Sequence, residues 1–428
     1  MHIVMMTNTY TPHVGGVAGS VLSFTQGYRA RGHRVLVVAP EFEGMPEDEE
    51  DVVRIPAIQH FNGSDFSVVL PAPGRLTETL NEFQPDIVHS HHPFLLGDTA
   101  LRVVASRNIP LVFTHHTMYE QYTHYVPGDS PPFARFIKTL GTGYANLCDR
   151  VIAPSESVAN VLKERGVTTR INVIPTGVDV EKFKCADGAS FRRQAGIPAD
   201  AFLVGHVGRL APEKNLEFLT EAVCAFLVQR PEAHFLVVGG GPSTERMRVI
   251  CAETNTCDRV HFVGKLTGVP LVQAYTAMDV FAFSSKSETQ GMVLTEAMAA
   301  GVPVVALDAP GAREVVRNTS NGRLLKRQDL QGFAAALEWV YSCPAPKRLA
   351  MSKSARKTAA EFSCDRCVEK ALMLYGRAIT TGHAAPDHES TPRPALLRAV
   401  ADEWQLWSNR FSAAAAMFSS SDQHEAIP

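Results

Sequence analysis

The strongest constraint on this chain is an alternation of strand-like and helix-like segments that runs through it twice. In the first half, apolar runs typical of strands buried on both faces alternate with amphipathic segments; the runs are HIVMMT, RVLVVAP, DIVHSH, PLVFTHH, RVIAPS and INVIPTG. After about residue 180 the alternation restarts with FLVGHVGRL, HFLVVGGG, RVHFVGKL, DVFAFSS and PVVALDA. Strands that alternate with helices pair in parallel through right-handed crossovers. The pattern therefore predicts an α/β protein with two doubly wound, Rossmann-like domains.

A single (β/α)8 barrel is the competing architecture. It needs about 250 residues and one uninterrupted series of units, whereas polar and glycine residues interrupt this series at GVDVEKFKCADGAS. We therefore predict one domain over residues 1–178 and a second over 179–361. Residues 381–428 are predicted to form a polar, proline-containing linker and an amphipathic helix.

The composition, with 45% hydrophobic and 20% charged residues over 428 positions, is that of a globular protein. A net charge of −3 gives no electrostatic case for nucleic acid as a partner. No apolar run reaches the roughly 18–20 residues of a membrane span, and MHIVMMTNTY reads as a first strand rather than a secretion signal. Cys364 and Cys367 form a CxxC without the second pair that a zinc site needs. The expected location is the reducing cytoplasm.

Candidate site residues follow the strands, because ligands of open α/β sheets bind beyond the carboxyl ends of the strands. The first strand leads to Gly15 and Gly16, where the backbone can approach a ligand and a helix can begin with unpaired N–H groups; a glycine turn without a ligand is the alternative. Two further strands end in histidines, namely His89, His91, His92, His115 and His116. No Asp or Glu stands at a supporting ligand spacing and no HExxH occurs, so we predict no metal there.

The second half carries charged residues at equivalent places. Arg209 and Lys214 lie five apart on a loop that follows a strand, where both can point at a phosphate-rich ligand; a solvated surface pair is the alternative. In SETQGMVLTEAMAAGVP, Glu288 follows the strand DVFAFSS, and Glu296 lies about one turn into the next helix. The start of that helix presents backbone N–H groups that suit phosphate or sugar hydroxyls; they belong to Gln290, Gly291, Met292 and Val293.

Together these motifs resemble the retaining family 4 glycosyltransferases of GT-B fold. The resemblance rests on the E-x7-E arrangement in SETQGMVLTEAMAAGVPVV, the GRLAPEKN loop, the VVGGGP strand end and the N-terminal GGV, in consistent order over about residues 1–380. It implies two Rossmann-like domains that face each other across a cleft, with residues 362–380 returning to the first. It also implies an enzyme that uses a nucleotide-sugar donor, retains configuration and has no resident cofactor.

The same resemblance implies roles for individual residues. Arg209 and Lys214 would hold the donor diphosphate, and Glu296 the nucleotide ribose. Glu288 and the amides of residues 290–293 would hold the transferred sugar, and Lys265 and Leu266 are further substrate-binding candidates. In the first domain His116 would stand beside the reacting sugar, with Gly15 and Gly16 near its phosphate. The catalytic candidates are therefore His116, Arg209, Lys214 and Glu288.

Paired carboxylates also occur in glycosidases, where they flank one bond as acid and as base or nucleophile. Glu288 and Glu296 are better explained as donor ligands, one for each end of a nucleotide sugar. Catalysis would then be mainly electrostatic, through cations and helix amides that stabilise the departing diphosphate. No DxD occurs in the chain, so we predict that Arg209 and Lys214 replace the metal that such a motif would hold.

The acceptor prediction rests on a narrower likeness. The turn reads ETQG where the common family form is EGFG, as in relatives that glucosylate lipids, and HTMYEQYTHY resembles diacylglycerol glucosyltransferases in particular. Glucose from UDP-glucose would thus be transferred to 1,2-diacylglycerol, in a pocket involving Tyr119, Glu120 and the HSHHPF loop. Residues 1–180 carry 13 Lys or Arg against 18 Asp or Glu, whereas a basic acceptor domain would suit a lipid enzyme. The alternatives are a lipopolysaccharide or polysaccharide intermediate, a small soluble acceptor, or a non-catalytic nucleotide-sugar-binding protein.

The tail could bring a peripheral membrane contact on the cytoplasmic face. Its helical pattern puts apolar side chains on one face, namely Leu396, Leu397, Val400, Trp404, Trp407 and Phe411. Such a face suits a lipid interface, the body of the protein or a partner. Because the family-like core ends near residue 380, we expect both domains to fold without residues 391–428. The sequence carries no signal for an oligomeric state.

Overall fold

The computed structural model describes residues 1–13, 15–58, 68–69, 73–121, 130–382 and 395–418. The chain divides into two compact units: Met1–Ile174 with Val368–Pro428, called unit 1, and Pro175–Cys367, called unit 2. The first join lies four residues before the boundary that the sequence suggests at 178, and the second lies six residues after the one at 362.

Unit 1 is built on a seven-stranded parallel sheet in the order β3-β2-β1-β6-β7-β8-β9. Its strands and helices up to the first join are β1 (His2–Met6), α1 (Gly16–Arg29), β2 (Arg34–Pro40), β3 (Val52–Ile55), β4 (Ala57–Ile58), β5 (Val68–Val69), α2 (Pro73–Phe83), β6 (Ile87–Ser90), α3 (Leu96–Arg107), β7 (Leu111–Thr114), α4 (Pro131–Asn146), β8 (Arg150–Ala153), α5 (Glu156–Glu164) and β9 (Ile171–Val173). The strand order reverses between β1 and β6, which is where a doubly wound sheet binds its ligands.

Unit 2 repeats the plan with a six-stranded parallel sheet in the order β12-β11-β10-β13-β14-β15. Its elements are α6 (Gly188–Gln194), β10 (Phe202–Val207), α7 (Leu216–Gln229), β11 (Ala233–Val238), α8 (Thr244–Glu253), β12 (Val260–Gly264), α9 (Gly268–Ala277), β13 (Val280–Phe283), α10 (Met292–Ala299), β14 (Val304–Leu307), α11 (Ala312–Val315), β15 (Gly322–Leu325), α12 (Leu330–Tyr341) and α13 (Ala345–Glu361). This is the 3-2-1-4-5-6 order of the Rossmann fold, with its switch point between β10 and β13. The prediction of two doubly wound α/β domains is confirmed.

Two helices complete the described chain, α14 (Cys364–Thr381) and α15 (Ala395–Phe418). From Val368 onward α14 belongs to unit 1, where the Tyr375 hydroxyl lies 3.0 Å from that of Tyr28 and 2.5 Å from Nδ1 of His89. None of the helices in the described part of the chain has the length and apolar character that a membrane crossing needs.

Helix α15 packs against α3 and α4 of unit 1. Leu406 is buried within the core cluster of that unit, and the Asn409 side-chain amide donates to the carbonyl oxygen of Leu140 over 3.2 Å. Trp407 and Phe411, by contrast, are 48% and 68% exposed. Leu406 thus contributes to the core of unit 1, and the expectation that both domains fold without residues 391–428 stays a prediction. The other predicted members of the apolar face, at positions 396–404, have side chains outside the described residues.

Candidate active site

The loop after β10 is fixed to the end of β13, the neighbouring strand at the switch point of unit 2. Ser284 is fully buried, and its hydroxyl donates to the carbonyl oxygens of Lys214 and Asn215 over 3.0 and 2.9 Å. The Ser287 hydroxyl donates to the carbonyl oxygen of Glu213 over 3.3 Å. Asn215 has a left-handed φ of 55°, which an asparagine tolerates better than most residues. These contacts bring the two charged loops of the sequence motifs together.

Lys214 and Glu288 meet at this switch point although 74 residues separate them in sequence. Lys214 Nζ lies 2.5 Å from Glu288 Oε1, and the two side chains are only 18% and 19% exposed. An ion pair that is shielded from water in this way holds both groups in one place more firmly than a solvated surface pair would. The sequence predicted that both residues lie beyond the carboxyl ends of strands, and the structure shows that their side chains contact each other.

Arg209 is held by a carboxylate that the motif analysis did not single out. Its guanidinium donates to Glu213, whose side chain is 8% exposed while that of Arg209 is 47% exposed. Burial would raise the pKa of Glu213, but hydrogen bonding within the residue and the charge of Arg209 bring that pKa below its ordinary value. Glu213 is therefore ionised at neutral pH and restrains the Arg209 side chain on this loop.

The turn before α10 is held by the side chain of Gln290. Its Oε1 accepts from the backbone N–H of Thr176 and its Nε2 donates to the carbonyl oxygen of Thr176, both over 2.6 Å. Gly291 follows with a left-handed φ of 70°, and a Cβ there would lie 2.9 Å from Cδ1 of Leu294. The turn therefore requires glycine, and α10 begins at Met292, as the sequence predicts. The Gln290 side chain thus has a structural role, because both of its polar atoms bond to the backbone of Thr176. The backbone N–H groups of 290–293 remain as the candidates for binding a ligand.

Glu296 lies in the second turn of α10, and its carboxylate is hydrogen-bonded inside the unit. The Tyr275 hydroxyl on α9 donates to Glu296 Oε2 over 2.6 Å. Burial raises the pKa of Glu296, while the hydrogen bond from Tyr275 and the charge of Lys182 act in the opposite direction. The sequence identified Glu296 but gave no signal for Tyr275.

Lys265 and Leu266 follow β12, at the same carboxyl-terminal end of the strands as the loops after β10 and β13. Lys265 is exposed, and its stem would lie 3.6 Å from a Cβ on Gly240, in the VVGGGP segment after β11. A Cβ on Gly239 would lie 1.9 Å from the carbonyl oxygen of Gly208, so only glycine lets the loop after β11 approach the loop after β10. Leu266 packs against a core cluster of unit 2. The structure thus places Lys265 beside the glycine-rich loop and directs Leu266 partly inward.

In unit 1, Gly15 and Gly16 stand where the sequence predicts a helix start. Helix α1 begins at Gly16 with extended backbone at Gly15, no side-chain cap and no acidic residue in its first turn. Both glycines are exposed. An uncapped, positively polarised helix end of this kind suits an anion, and its role in binding stays a prediction.

His116, after β7, contacts a histidine that follows β6. Nδ1 of His91 and Nε2 of His116 lie 2.9 Å apart, and the two rings stack at 5.1 Å between centroids. Burial lowers the pKa of His116 to about 3 and that of His91 well below 6.5. Burial likewise lowers the pKa of the remaining members of the cluster to about 3, namely His89, His92 and His115. All five are therefore neutral at physiological pH.

A neutral histidine cluster also raises the question of a metal. Within the described ranges, no group of three or more His, Cys, Asp or Glu side chains is arranged to hold a metal ion. His89 is already engaged on both nitrogens, by the hydroxyls of Tyr375 and Thr114, and His92 Nδ1 accepts from the backbone N–H of Asn8 over 3.0 Å. The cluster therefore fits a hydrogen-bonding role better than a ligand set, and the absence of a metal requirement stays a prediction.

The two predicted acceptor-pocket residues have different environments. Tyr119 packs edge-on against Phe94 of the HSHHPF loop at 5.1 Å and lies near His92 at 6.4 Å, so the structure joins these two segments. Glu120 instead pairs with Arg165, and the two side chains are only 15% and 13% exposed. Its carboxylate has a structural partner within unit 1. Residues 122–125 of the HTMYEQYTHY segment lie outside the described residues.

Comparison with known proteins now adds to this geometry. Residues 14–182 match the model of Glycosyltransferase Family 4, and residues 188–358 match that of Glycosyl transferases group 1. Among solved structures, HepE from Anabaena in complex with UDP superposes with a TM-score of 0.68 over 88% of this chain and 100% of that chain, at 23% identity. The two parallel sheets are therefore those of a GT-B fold, and the class of protein is a nucleotide-sugar-dependent glycosyltransferase.

Two curated relatives cover most of the chain. An alpha-monoglucosyldiacylglycerol synthase of Streptococcus pneumoniae is 28% identical over 84% of this chain and 83% of its own length. A GDP-mannose-dependent alpha-mannosyltransferase of Mycolicibacterium smegmatis is 31% identical over 79% of this chain and 87% of its own length. The chain belongs to the family 4 glycosyltransferases.

Proposed function

We propose that this glycosyltransferase moves glucose from UDP-glucose to the hydroxyl of a membrane diacylglycerol, with retention of configuration. The observation that carries the donor half of the proposal is the shielded contact between Lys214 and Glu288 at the switch point of unit 2. A cation and a carboxylate that meet there offer one group for a diphosphate and one for the hydroxyls of a sugar.

The donor is proposed to lie along the carboxyl ends of β10, β13 and their neighbours. Lys214 and Arg209 hold its diphosphate, the Glu288 carboxylate and the amides of 290–293 hold its sugar, and Glu296 accepts hydroxyls of its ribose. Binding exchanges the Lys214–Glu288 contact for contacts with the donor, because the negative diphosphate competes for Lys214 and the sugar hydroxyls compete for Glu288. In unit 1, His116 and the start of α1 are assigned to the sugar and its phosphate.

The chemistry is proposed to be electrostatic. As the bond between the sugar and the diphosphate breaks, positive charge develops on the sugar and negative charge on the leaving phosphate. Lys214, Arg209 and the helix amides stabilise the negative charge on the leaving phosphate. The acceptor hydroxyl enters on the face that the phosphate leaves, which retains configuration. His116, being neutral, can donate a hydrogen bond to the sugar without adding a repelling charge.

Some observations favour a lipid acceptor, and others favour a different donor or acceptor. The alpha-monoglucosyldiacylglycerol synthase among the relatives, the ETQG turn and the apolar packing of Tyr119 against Phe94 favour a lipid. The acidic balance of residues 1–180 and the relative that uses GDP-mannose favour a different donor or a glycan or soluble acceptor. The diacylglycerol proposal includes a peripheral contact on the cytoplasmic face of the membrane, through the exposed rings of Trp407 and Phe411.

The test supplies labelled UDP-glucose and labelled GDP-mannose, each with diacylglycerol in mixed micelles and, separately, with soluble sugars. A labelled α-glucosyl lipid formed from UDP-glucose is the expected product, and the Lys214→Ala variant serves as the background. Rapid transfer to a soluble acceptor with the lipid untouched would refute the acceptor, and turnover of GDP-mannose alone would refute the donor. Binding of nucleotide sugars without any turnover would favour the non-catalytic alternative.

A further inference from the structure

We propose that Tyr275 is a positioning residue, whose hydroxyl fixes the carboxylate of Glu296 so that one defined oxygen is presented to the donor ribose. The inference rests on the proposed role of Glu296 in holding the donor. It adds a residue of α9 to a site otherwise built from the loops after β10, from β13 and from α10.

The Tyr275 side chain is built to hold one orientation. It is fully buried, and its ring packs against Phe183 and Phe281 with centroids 6.0 and 5.9 Å away. Because the ring is enclosed, its hydroxyl points in one direction and donates to Glu296 Oε2 over 2.6 Å. That bond uses one acceptor position of Oε2 and sets the orientation of the carboxylate, so we assign Oε1 to the ribose hydroxyls.

The hydrogen bond also affects the ionisation of Glu296. Burial raises the pKa of the carboxyl, and the donated bond from Tyr275 lowers it again, followed by the charge of Lys182 on the turn Val180–Phe183. A carboxylate accepts two ribose hydroxyls only when it is ionised, because a protonated carboxyl has turned one acceptor into a donor. The bond from Tyr275 therefore favours the ionised form of Glu296, which is the form that a ribose needs.

Other charged groups near α10 are engaged elsewhere. Arg356 on α13 donates to the carbonyl oxygen of Ala300 over 3.0 Å, beyond the other end of α10. Arg313 on α11 pairs with Asp308 at 2.9 Å. The groups that act on the Glu296 carboxylate are thus Tyr275 and Lys182.

Replacement of Tyr275 by phenylalanine keeps the ring and removes only the donated bond. Without that bond the pKa of Glu296 rises further above its ordinary value, so the carboxyl takes up a proton at a higher pH. Donor affinity, which requires the ionised form, is present above that pKa and is lost as the pH falls through it. The acid limb of donor binding should consequently move to higher pH in Tyr275→Phe.

The experiment is a calorimetric titration of the full-length protein with UDP-glucose and with GDP-mannose, across the acidic to neutral range. Tyr275→Phe should weaken binding of the donor roughly tenfold at neutral pH, as expected for a lost hydrogen bond to a charged group, and should shift the acid limb upward. The Michaelis constant for the donor should rise with little change in kcat. Tyr341→Phe is the matched control, because it removes a phenol bonded to another carboxylate of unit 2, Glu232, and should leave affinity and pH profile unchanged.

Glu296→Gln separates this inference from the proposed function. Its amide does not titrate, so the acid limb should disappear, and adding Tyr275→Phe should then cost much less affinity than Tyr275→Phe alone. If Glu296→Gln loses donor affinity while Tyr275→Phe keeps both affinity and pH profile, the positioning role is overturned and the donor assignment stands. If Glu296→Gln binds the donor normally, both assignments fail, and the transfer assay still decides the reaction independently.

Discussion

At the residue scale, each of the two cationic side chains on the loop after β10 is paired with one carboxylate. Lys214 contacts Glu288 across the switch point, whereas Arg209 contacts Glu213 four residues along the same loop. In the first pair both side chains are shielded from water, whereas in the second pair only Glu213 is shielded. The carboxylates hold both side chains near the place proposed for the diphosphate, and donor binding is proposed to exchange the contact of Lys214 with Glu288 for contacts with the donor.

Lys214→Ala and Arg209→Ala are each expected to lower kcat about a hundredfold or more, because each removes a charge that stabilises the leaving diphosphate. Steady-state kinetics with the donor that is turned over measures the effect. Arg230→Ala is the matched control, because Arg230 also pairs with a glutamate, Glu338, at 2.6 Å. Arg230 lies just before the start of β11, at the amino-terminal end of the strands and thus away from the candidate site. Near-normal kinetics in both cationic variants would place the diphosphate elsewhere.

Gln290→Ala is expected to destabilise unit 2, because it leaves the backbone N–H and carbonyl oxygen of Thr176 without their buried partners. The cost is about 1–3 kcal/mol in the free energy of unfolding, measured by urea denaturation. Gln328→Ala is a suitable control, since Gln328 accepts only one exposed hydrogen bond, from Asn215. Equal stability of the two variants would contradict a structural role for the Gln290 side chain.

The residues that the sequence revealed share a property that the missed residues lack. Arg209, Lys214 and Glu288 are charged and lie on the loops that follow β10 and β13, so their place beyond the carboxyl ends of these strands follows from chain order. Tyr275 is one aromatic residue within an apolar helix, and its bond to Glu296 depends on how α9 packs against α10. Sequence spacing cannot show a contact between two helices whose packing is set by their tertiary surroundings.

At the element scale, the central strands of both large sheets could be predicted, and so could the edge strands β9 and β12, but the edge strands β3 and β15 could not. The strands β1, β6, β7 and β13 are almost entirely buried and read as continuous apolar runs. The edge strand β15 includes Arg323 and is mostly half-buried, and the edge strand β3 includes Arg54 in an alternating pattern. These two strands each have one neighbour and one wetter side, so their sequences lack the continuous apolar run that marks burial on both faces.

Helix α15 offers a pair of variants on opposite faces. Leu406→Ala is expected to destabilise unit 1 by about 2–5 kcal/mol, because it opens a cavity among buried apolar side chains. Thermal denaturation and urea titration measure this effect. If Leu406→Ala were as stable as the wild type, the packing of α15 against unit 1 would be in doubt.

The exposed face of α15 is tested by Trp407→Ala with Phe411→Ala. Because both rings are exposed, this double variant should unfold like the wild type. Its binding to sedimented vesicles that contain diacylglycerol and anionic lipid should nevertheless fall, if the rings enter the interface. Vesicle binding equal to that of the wild type would remove α15 from the proposed membrane contact, while the transfer reaction would be judged separately.

At the scale of the whole molecule, each unit places its candidate residues beyond the carboxyl ends of its own strands. In unit 1 they follow β1, β6 and β7, and in unit 2 they follow β10, β12 and β13. The candidate residues of the two units also differ in charge. Those of unit 1 form a cluster of neutral histidines, whereas those of unit 2 include ion pairs. The fixed charges therefore lie in the unit proposed to bind the charged donor.

That distribution of charge leads to the last prediction, which concerns metal dependence. The chain has no DxD, and Arg209 and Lys214 are proposed to supply two positive charges where a DxD enzyme would use a divalent cation. Such a cation would have to compete with Lys214 for Glu288, so added Mg²⁺ or Mn²⁺ should bring little gain. We expect glycosyl transfer to continue at an unchanged rate after dialysis against EDTA, measured with the labelled donor and its acceptor. Complete loss of transfer on chelation, restored by Mg²⁺ or Mn²⁺, would show that the two cationic side chains do not replace a metal.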